Sequence, residues 1–221
     1  MPAPCDANCI ASTTSGSGRA TSSCRILTAR KKRRIVQQLL RLPARTVKLF
    51  EDETDLLLFP PLRSCWGLRG QRVIVPLTGA NARGVVFGTI NIGTGHRLLL
   101  ARRYQRADDF CTFLRVIRRR YCGWQVALIL DEDPCHTAHA SQDLADWLGI
   151  KLLWLPKRCP ELNGMEHLWG HGKDHVCADR QYANIEEEVT RFIAYLYSLS
   201  NQDALVQAGI LSEDFWLQQV V

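Results

Sequence analysis

The chain has 221 residues, of which 46% are hydrophobic, and its net charge at neutral pH is +6. This is enough apolar material for one packed core, and the length favours a single domain with a short additional segment. No run approaches the roughly 18 uninterrupted apolar residues of a membrane-spanning helix, and the N-terminal end lacks the apolar segment of a secretory signal. We therefore predict no membrane partner and a cytoplasmic location.

The positive charge is concentrated at the N-terminal end. Residues 1–50 contain ten Lys or Arg and a single acid, which gives this segment a net charge of +9 and leaves −3 for the rest of the chain. Such asymmetry indicates attraction to a polyanion such as nucleic acid, although it does not specify a fold. Residues 1–27 are rich in Ser, Thr, Ala and Gly without hydrophobic periodicity, and we expect them to form a disordered tail.

A basic helical segment is predicted over residues 28–44. Its apolar side is formed by Ile35, Leu39 and Leu40. The basic residues Lys31, Lys32, Arg33 and Arg34 are candidates for contact with DNA. The alternative is a solvated charged face, because basic clusters are often non-specific.

Nine cysteines are scattered along the chain without any C-x-x-C pair. This spacing favours neither a disulfide framework nor a zinc finger. Several of the cysteines, such as Cys111, lie within amphipathic patterns and are expected to be small buried residues in a reducing compartment.

Residues 45–221 have the pattern of a mixed α/β domain. The predicted strands are Val47–Phe50, Val73–Leu77, Val85–Asn91, Arg97–Leu100, Val126–Leu130 and Leu152–Leu155. The first of them leads into the acidic stretch Glu51, Asp52 and Glu53, and the run Val126–Leu130 is apolar throughout, as expected for a strand covered on both faces. The Gly93-Thr94-Gly95 segment is expected to be a hairpin turn.

The helices are predicted from their apolar spacing and their caps. They cover residues 108–120, residues 138–148 with a buried stripe of Ala140, Leu144, Trp147 and Leu148, a segment capped by Asn163, and a last helix that begins at Asn184. Meandering strands followed by two strands that alternate with helices resemble a ribonuclease H-like order, an α/β mixed sheet with flanking helices. Periodicity alone would also allow other α+β arrangements.

Three carboxylates are expected to face one point. Asp52 and Asp131 follow predicted strands, and Glu166 lies in the first turn after the cap Asn163. Clustered carboxylates repel one another unless they share protons or cations, and Mg²⁺ or Mn²⁺ prefers hard oxygen ligands. Two ions about 3.5–4 Å apart would activate a water or a 3′-hydroxyl for displacement at phosphorus. The alternatives are a loop cap at Asp131, a capping-box glutamate at Glu166 and an exposed acid at Asp52.

The sequence around these acids resembles a known family. The segments "LFEDETDLLLFPPLRSCWGLRGQ", "VALILDEDPCHTA" and "GIKLLWLPKRCPELNGMEHLWG" are similar to the three acidic motifs of the insertion-sequence-630/mariner superfamily of transposases. The similarity spans residues 49 to about 200, and 34 residues separate the second acid from the third, as is typical of that family. The neighbouring acids Glu53, Glu132, Asp133 and Glu161 are the runner-up positions.

The resemblance implies a DDE transposase catalytic domain over residues 45–221. Asp52, Asp131 and Glu166 would hold two Mg²⁺ or Mn²⁺ ions, cleave the transposon ends and direct the freed 3′-hydroxyl to target DNA. The implied partners are double-stranded DNA and a second copy or a partner transposase subunit, at the bacterial nucleoid. Two alternatives are a remnant that binds DNA or transposase without cutting, and a ribonuclease H-like nuclease with another substrate.

Further residues near the motifs are weaker candidates. His136 stands where the family commonly has a histidine, and it is expected to contact DNA or to order the active-site loop; the alternative is a hydrogen-bonded structural histidine. Lys157 and Arg158 are candidates for the DNA backbone, with solvated charges as the alternative. The repeat His167, His171 and His175 favours surface histidines over zinc, because Gly170 and Gly172 interrupt the helix.

Three departures from the family pattern are visible. Gly164 replaces the usual Pro, which predicts a looser start to the helix that carries Glu166. Glu132 replaces the usual Asn and adds negative charge beside Asp131. About fifty residues precede the catalytic motifs, too few for the tandem helix-turn-helix domains of the family, so the resemblance does not extend to the family's recognition of transposon ends.

Overall fold

The centre of the fold is the long strand β1 (Val47–Leu57), which is antiparallel to β2 (Arg83–Asn91) on one side and parallel to β4 (Val126–Leu130) on the other. The computed structural model describes residues 20–64, 66, 69–70, 74–157 and 159–220, with side chains from residue 29 onward. The other strands are β3 (Arg97–Arg102) and β5 (Ile150–Trp154). They form one mixed sheet in the order β3-β2-β1-β4-β5.

Seven α-helices are present in the described part of the chain. They are α1 (Ala20–Leu40), α2 (Ala107–Arg120), α3 (Pro134–Thr137), α4 (His139–Trp147), α5 (Gly164–Gly172), α6 (Ile185–Ser198) and α7 (Asn201–Gln207). A π-helical turn, Lys173–Cys177, directly follows α5, and short 3₁₀ turns cover Pro160–Leu162 and Gln218–Val220. Within the described ranges, no helix combines the length and apolar content needed to cross a bilayer.

Each face of the sheet carries its own hydrophobic core, because side chains alternate along a strand. Helices α1, α5, α6 and α7 cover one face and contribute Ile35, Leu39, Met165, Trp169, Val189, Phe192 and Ala204. Helices α2 and α4 cover the other face and contribute Phe110, Phe113, Leu114, Ile117 and Ala145. On β1, Phe50 belongs to the α5 face and Leu49 to the α2 face, so the acids that follow are also divided between the two faces.

Most predicted elements are present, and several of their details are confirmed. Helix α2 buries the four apolar residues that its spacing predicts. The Asn163 side chain caps α5 by accepting from the Met165 N–H, and Asn184 caps α6 by accepting from the Glu187 N–H. The mixed sheet with flanking helices is also as predicted.

The acidic stretch does not follow the first strand but lies inside it. Strand β1 continues to Leu57 because β2 pairs with it from Leu49 to Leu57, well beyond the end of its pairing with β4. The prediction that the strand ends at Phe50 was therefore wrong. A hairpin partner can extend a strand through polar residues that break its apolar run.

The predicted strand Val73–Leu77 is absent over residues 74–77, whereas residue 73 lies outside the described part. Pro76 has no N–H to donate to a ladder, and Ile74 is 82% exposed, so this apolar run has neither a strand partner nor a core to fill.

The predicted helix 138–148 is present as α4, preceded by the separate short helix α3, but its buried face was only partly predicted. Leu144 and Leu148 pack against the core as predicted, whereas the fully buried residues are Ser141 and Ala145. Ala140 is exposed and Trp147 is 80% exposed, whereas the Ser141 hydroxyl donates to the Cys135 carbonyl at 2.6 Å. A polar residue thus occupies the buried position because helix α3 before it supplies an acceptor.

The ends of the chain also differ from the predictions. Helix α1 begins at Ala20, eight residues before the predicted start of the basic segment, whereas residues 1–19 lie outside the described part. Helix α6 is followed by α7, which the sequence interpretation missed. Its cap is Ser200, whose hydroxyl accepts from the Asp203 N–H.

Glu188 on α6 provides a test of this core. It is only 2% exposed, its Oε1 has no hydrogen-bond partner among the described residues, and burial raises its pKa above 4.5. The folded chain therefore retains a proton that the unfolded chain releases, so Glu188 reduces stability increasingly as the pH rises above about 4.5. We expect Glu188→Gln to raise the free energy of unfolding at pH 7 by on the order of 1 kcal/mol, and this gain to shrink towards pH 4.

The measurement is urea unfolding at several pH values. The neighbouring Glu187→Gln is the matched control, because Glu187 forms a partly exposed pair with Arg191 at 2.9 Å and is expected to change stability by less than about 0.5 kcal/mol. A destabilising effect of Glu188→Gln at pH 7 would show that the buried carboxylate is compensated.

Candidate active site

Asp52 and Asp131 lie level with each other at the point where β4 ends. Phe50 pairs with Ile129 at the end of the ladder between β1 and β4. Asp52 and Asp131 each follow two residues later, so the two acids lie side by side. Both acids continue the α5 face, to which Phe50 and Ile129 belong. Asp52 is only 9% exposed, whereas the Asp131 side chain is 56% exposed, so the pair opens to solvent on one side.

Glu166 approaches the same point because α5 is attached directly to β1. The Asn163 side chain accepts from the Met165 N–H at 3.1 Å, and its Nδ2 donates to the Glu51 carbonyl at 2.8 Å. The first turn of α5 is thereby held one residue from Asp52. Glu166 is exposed, and its negative charge is, after burial, the strongest influence that raises the pKa of Asp52. The structure therefore brings the three predicted acids together.

Trp169 holds Asp52 in place from within the core. Its indole Nε1 donates to Asp52 Oδ2 at 3.1 Å, and its ring packs beside Phe192 with 5.9 Å between ring centres. Trp169 lies three residues after Glu166, so one face of α5 carries both side chains. The sequence interpretation assigned no role to Trp169, although this spacing was visible.

A small residue opposite Asp52 makes room for that indole. Gly88 is paired with Asp52 across β1 and β2, and a Cβ on Gly88 would lie 2.3 Å from the Trp169 ring. Gly164 is close-packed as well: a Cβ there would lie 3.2 Å from the Phe50 ring and 3.2 Å from the Ala208 carbonyl. The predicted loosening at Gly164 is therefore not observed, because α5 begins there against a packed core.

The environment of Asp52 suits a hard divalent cation. Burial and then the charges of Glu166, Glu53 and Asp131 raise its pKa well above the ordinary value. A carboxylate in this position stays ionised only if positive charge compensates it, and the donor atoms that converge are carboxylate oxygens, the ligands of Mg²⁺ and Mn²⁺. Asp52, Asp131 and Glu166 therefore fit such ions.

His136 is buried behind Asp131, on the α2 face of the sheet. It has no exposed surface; its Nδ1 lies 3.1 Å from Asp131 Oδ1 and its Nε2 lies 2.7 Å from Glu53 Oε1. The predicted contact of His136 with DNA was therefore wrong, because a fully buried ring cannot reach a ligand in solvent. Its position agrees with the other two interpretations, a hydrogen-bonded histidine that orders the active-site loop.

The short helix α3 turns His136 inward. Asp133 caps α3 by accepting from the Cys135 N–H at 2.8 Å, and Pro134 occupies the first helical position. The contact with His136 is the main cause that lowers the pKa of Asp131. For His136 itself, burial alone would lower the pKa, but the charge of Glu51 and hydrogen bonds to Asp131, Cys135 and Glu53 raise it well above the ordinary value.

Glu132 points away from the acids and towards two lysines. Its Oε2 lies 3.1 Å from Lys157 Nζ, and its Oε1 lies 3.8 Å from Lys31 Nζ on α1. The extra negative charge beside Asp131 is therefore compensated by two of the predicted DNA-binding residues. The other candidates on α1 are Lys32, which is half-buried, and Arg33 and Arg34, which are exposed. Arg158 lies outside the described residues.

The remaining candidates from the sequence do not join the cluster. Glu161 is exposed in a 3₁₀ turn. The ring nitrogens of His171 and His175 do not converge on a metal position, since His171 Nε2 contacts the Tyr195 hydroxyl at 2.8 Å and His175 Nδ1 contacts the His171 carbonyl at 2.9 Å. The expectation of surface histidines agrees with this arrangement.

A basic cleft that the sequence interpretation missed opens beside the second motif. Its volume is about 710 Å³, and its lining includes Arg83, Arg103, Tyr104, Arg106, Asp133 and Cys135. The guanidinium of Arg106 lies 4.2 Å from the centre of the Tyr104 ring, and that of Arg103 lies 5.5 Å from it. The run "ARRYQR" was the available signal, since it interleaves arginines with an aromatic residue.

Comparisons with known proteins found a matching family model and a curated relative. A family model described as DDE superfamily endonuclease matches residues 48–188. The chain is 24% identical over 156 residues to the insertion element IS630 uncharacterized 39 kDa protein of Shigella sonnei, which covers 68% of this chain and 45% of that protein.

Solved structures confirm the ribonuclease H-like fold. A Mos1 mariner paired-end complex with Mg is similar with a TM-score of 0.68 at 15% identity, over 97% of this chain and 66% of that chain. The Mos1 transposase catalytic domain with Raltegravir and Mg is similar with a TM-score of 0.60 at 14% identity, over 93% and 96% of the two chains. The chain thus spans less than half of the curated relative and about two thirds of the longer Mos1 chains.

Replacement of Gly88 tests the contact between Trp169 and Asp52. We expect Gly88→Ala to reduce the free energy of unfolding by about 1–3 kcal/mol, because the added methyl group displaces the indole. Gly170→Ala is the matched control: no atom lies within 4 Å of its Cβ position, and Ala stabilises a helix interior by up to about 1 kcal/mol. Urea unfolding measures both changes, and equal effects of the two substitutions would contradict the packing of Trp169 on Gly88.

Proposed function

This chain belongs to the DDE superfamily of endonucleases, and from that membership we propose that it cleaves phosphodiester bonds in DNA with divalent cations held by Asp52, Asp131 and Glu166. The observation that carries the proposal is the convergence of these three carboxylates from β1, the end of β4 and the first turn of α5. No single element of the fold requires acids there, whereas a cation site does.

The proposed ions are Mg²⁺ or Mn²⁺, two per site. Mos1 structures that contain Mg and Mn have the same fold, which supports this choice. When bound, such ions activate a water or a 3′-hydroxyl and stabilise the leaving oxygen. The chain itself fixes the donors to different degrees: Trp169 holds Asp52, His136 orients Asp131, and Glu166 stays free to adjust at the surface.

We further propose that the cleaved DNA is the end of a mobile element and that the freed 3′-hydroxyl is joined to target DNA. Support comes from the similarity to the IS630 protein and to Mos1, whose structures include a complex with a transposon end and a strand transfer complex. A second copy or a partner transposase, acting at the bacterial nucleoid, would supply the second DNA end.

Duplex DNA would approach along two basic surfaces. One would be formed by Lys157 together with a basic group on α1, namely Lys31, Lys32, Arg33 and Arg34. Arg158 lies outside the described residues and stays a candidate from its place in the sequence. The other is the cleft with Arg103 and Arg106, which borders the loop after Asp131. In both places guanidinium or ammonium groups would contact phosphates, which position the DNA without reading its sequence.

Removal of one carboxylate tests the proposed cleavage. We expect wild-type protein to nick supercoiled DNA with Mg²⁺ or Mn²⁺, and Asp131→Asn to slow nicking by roughly 10²-fold or more, since a bound cation contributes several kcal/mol to the transition state. Glu161→Gln, which removes an exposed acid outside the cluster, should retain the wild-type rate. Nicking rates from gel densitometry measure the difference.

Other results would select other functions. Metal-independent DNA binding without nicking would identify a binding module that has lost catalysis. Cleavage of the RNA strand in hybrids would identify a ribonuclease H-like nuclease. Equal nicking by Asp131→Asn and wild type would reject the assignment of the site.

The basic cleft gives a separate test of DNA binding. We expect the double variant Arg103→Ala/Arg106→Ala to weaken binding of a duplex and to reduce the slope of log K against log salt by about one per lost phosphate contact. Arg191→Ala on α6, which removes an arginine paired with Glu187, is the control and should leave the slope unchanged. An unchanged slope in the double variant would show that DNA does not occupy the cleft.

A further inference from the structure

Behind Asp131, on the α2 face of the sheet, donor atoms of four side chains meet in a small volume. One donor atom each from Glu53, Cys135 and His136 lies within 4.8 Å of the others. Cys135 Sγ is 3.4 Å from Glu53 Oε1, and Glu51 Oε2 is 3.3 Å from His136 Nε2. We call Glu51, Glu53, Cys135 and His136 the rear cluster. It lies across β1 from Asp52, because Glu51 and Glu53 point to the opposite face.

Glu51 is the side chain of the rear cluster that the protein does not satisfy. It has no exposed surface, and neither of its oxygens has a hydrogen-bond partner among the described residues. Its side chain contacts His136 Nε2 at 3.3 Å, but that nitrogen can carry a single hydrogen, which the 2.7 Å contact assigns to Glu53. A buried carboxylate without a donor is costly and calls for a compensating group.

The ring of His136 has more carboxyl neighbours than it can serve. Its Nε2 faces Glu53 at 2.7 Å and Glu51 at 3.3 Å, and its Nδ1 faces Asp131 at 3.1 Å. Two ring nitrogens cannot donate to three carboxyl groups. A divalent cation at the centre of the rear cluster would supply the missing partner for Glu51.

We propose that the rear cluster binds one transition-metal ion of the zinc type, separate from the hard cations proposed for Asp52, Asp131 and Glu166. Imidazole nitrogen and thiolate sulfur favour Zn²⁺ over Mg²⁺, and carboxylate oxygens complete a four-donor set. On binding, the Cys135 thiol and His136 Nε2 each release a proton to solvent, so the thiolate and the neutral ring present their lone pairs to the metal.

The cleft with Arg103 and Arg106 provides an entry path. Cys135 is 5% exposed and lines that cleft, so an ion can reach its sulfur without any opening of the sheet. Entry from this side places the thiolate first and the buried carboxylates behind it.

A bound ion would act on Asp131 through His136. With Nε2 on the metal, Nδ1 keeps its hydrogen and donates to Asp131 Oδ1, which it contacts at 3.1 Å. This is the metal–histidine–carboxylate arrangement that fixes ring orientation in metal sites. The rear cluster is thus a positioning site for an acid of the candidate active site, and its own occupancy does not depend on whether the chain cleaves DNA.

The experiment measures metal directly. The whole chain is treated with a chelator, dialysed, and titrated with Zn²⁺ alone and with Co²⁺ alone. We expect one tightly bound Zn²⁺ per chain and, with Co²⁺, a near-ultraviolet sulfur-to-cobalt charge-transfer band. Cys135→Ser should lose the band and the tight Zn²⁺, whereas Cys111→Ser, which alters another buried thiol, on α2, should keep both. Asp131→Asn should weaken binding about 10–100-fold.

Thermal unfolding supplies a readout that guards against misfolded variants. Wild type should gain Tm on addition of Zn²⁺ and Glu51→Gln should not, while Glu51→Gln without metal should be as stable as wild type or more so, because a buried charge has been removed. Absence of a tight Zn²⁺ in wild type, or a charge-transfer band that survives Cys135→Ser, would overturn the proposal and leave His136 as a hydrogen-bonded bridge. Nicking activity is measured separately, so failure of the rear cluster and failure of the proposed cleavage are distinguishable.

Discussion

Strand β1 carries three consecutive acids, Glu51, Asp52 and Glu53, through the middle of the sheet, where an uncompensated carboxylate is costly. The two-residue period of a strand sends Asp52 to the α5 face and its neighbours to the α2 face. Each face then needs its own compensation. On one side Trp169 donates to Asp52, and on the other His136 joins Glu53 to Asp131. The packing of α3 and α5 follows from these requirements.

The three carboxylates of the candidate site differ in how tightly the surrounding structure encloses them. Asp52 is enclosed because β2 and α5 cover it, whereas Asp131 and Glu166 stand where β4 ends and where α5 begins. Strand and helix ends leave room for solvent and ligand. A site built in this way keeps one rigid donor and two accessible ones, which suits ions that bridge protein and substrate.

Much of the fold was predictable because periodicity and caps are local signals. The face of α2, the cap Asn163 and the apolar β4 depend on neighbouring residues only. The length of β1 was not predictable, because pairing with β2 carries it through polar residues. The acids could be named from their motifs, but the inward turn of His136 depends on Asp133 and Pro134, and the role of Trp169 depends on Gly88 in another strand. Long-range packing decides such features, and a single sequence does not display it.

Because β4 ends at Leu130, no strand of the described residues pairs with β1 beyond Phe50 on that side, and the Glu51 carbonyl has no ladder partner there among them. The Asn163 amide takes the place of the missing strand by donating to it, while its oxygen starts α5. One side chain therefore joins a sheet to a helix, because its amide donates and accepts hydrogen bonds as a backbone peptide group does. The position of the third acid along the chain is thus free to vary with the loop before it, provided that an amide side chain arrives at this carbonyl.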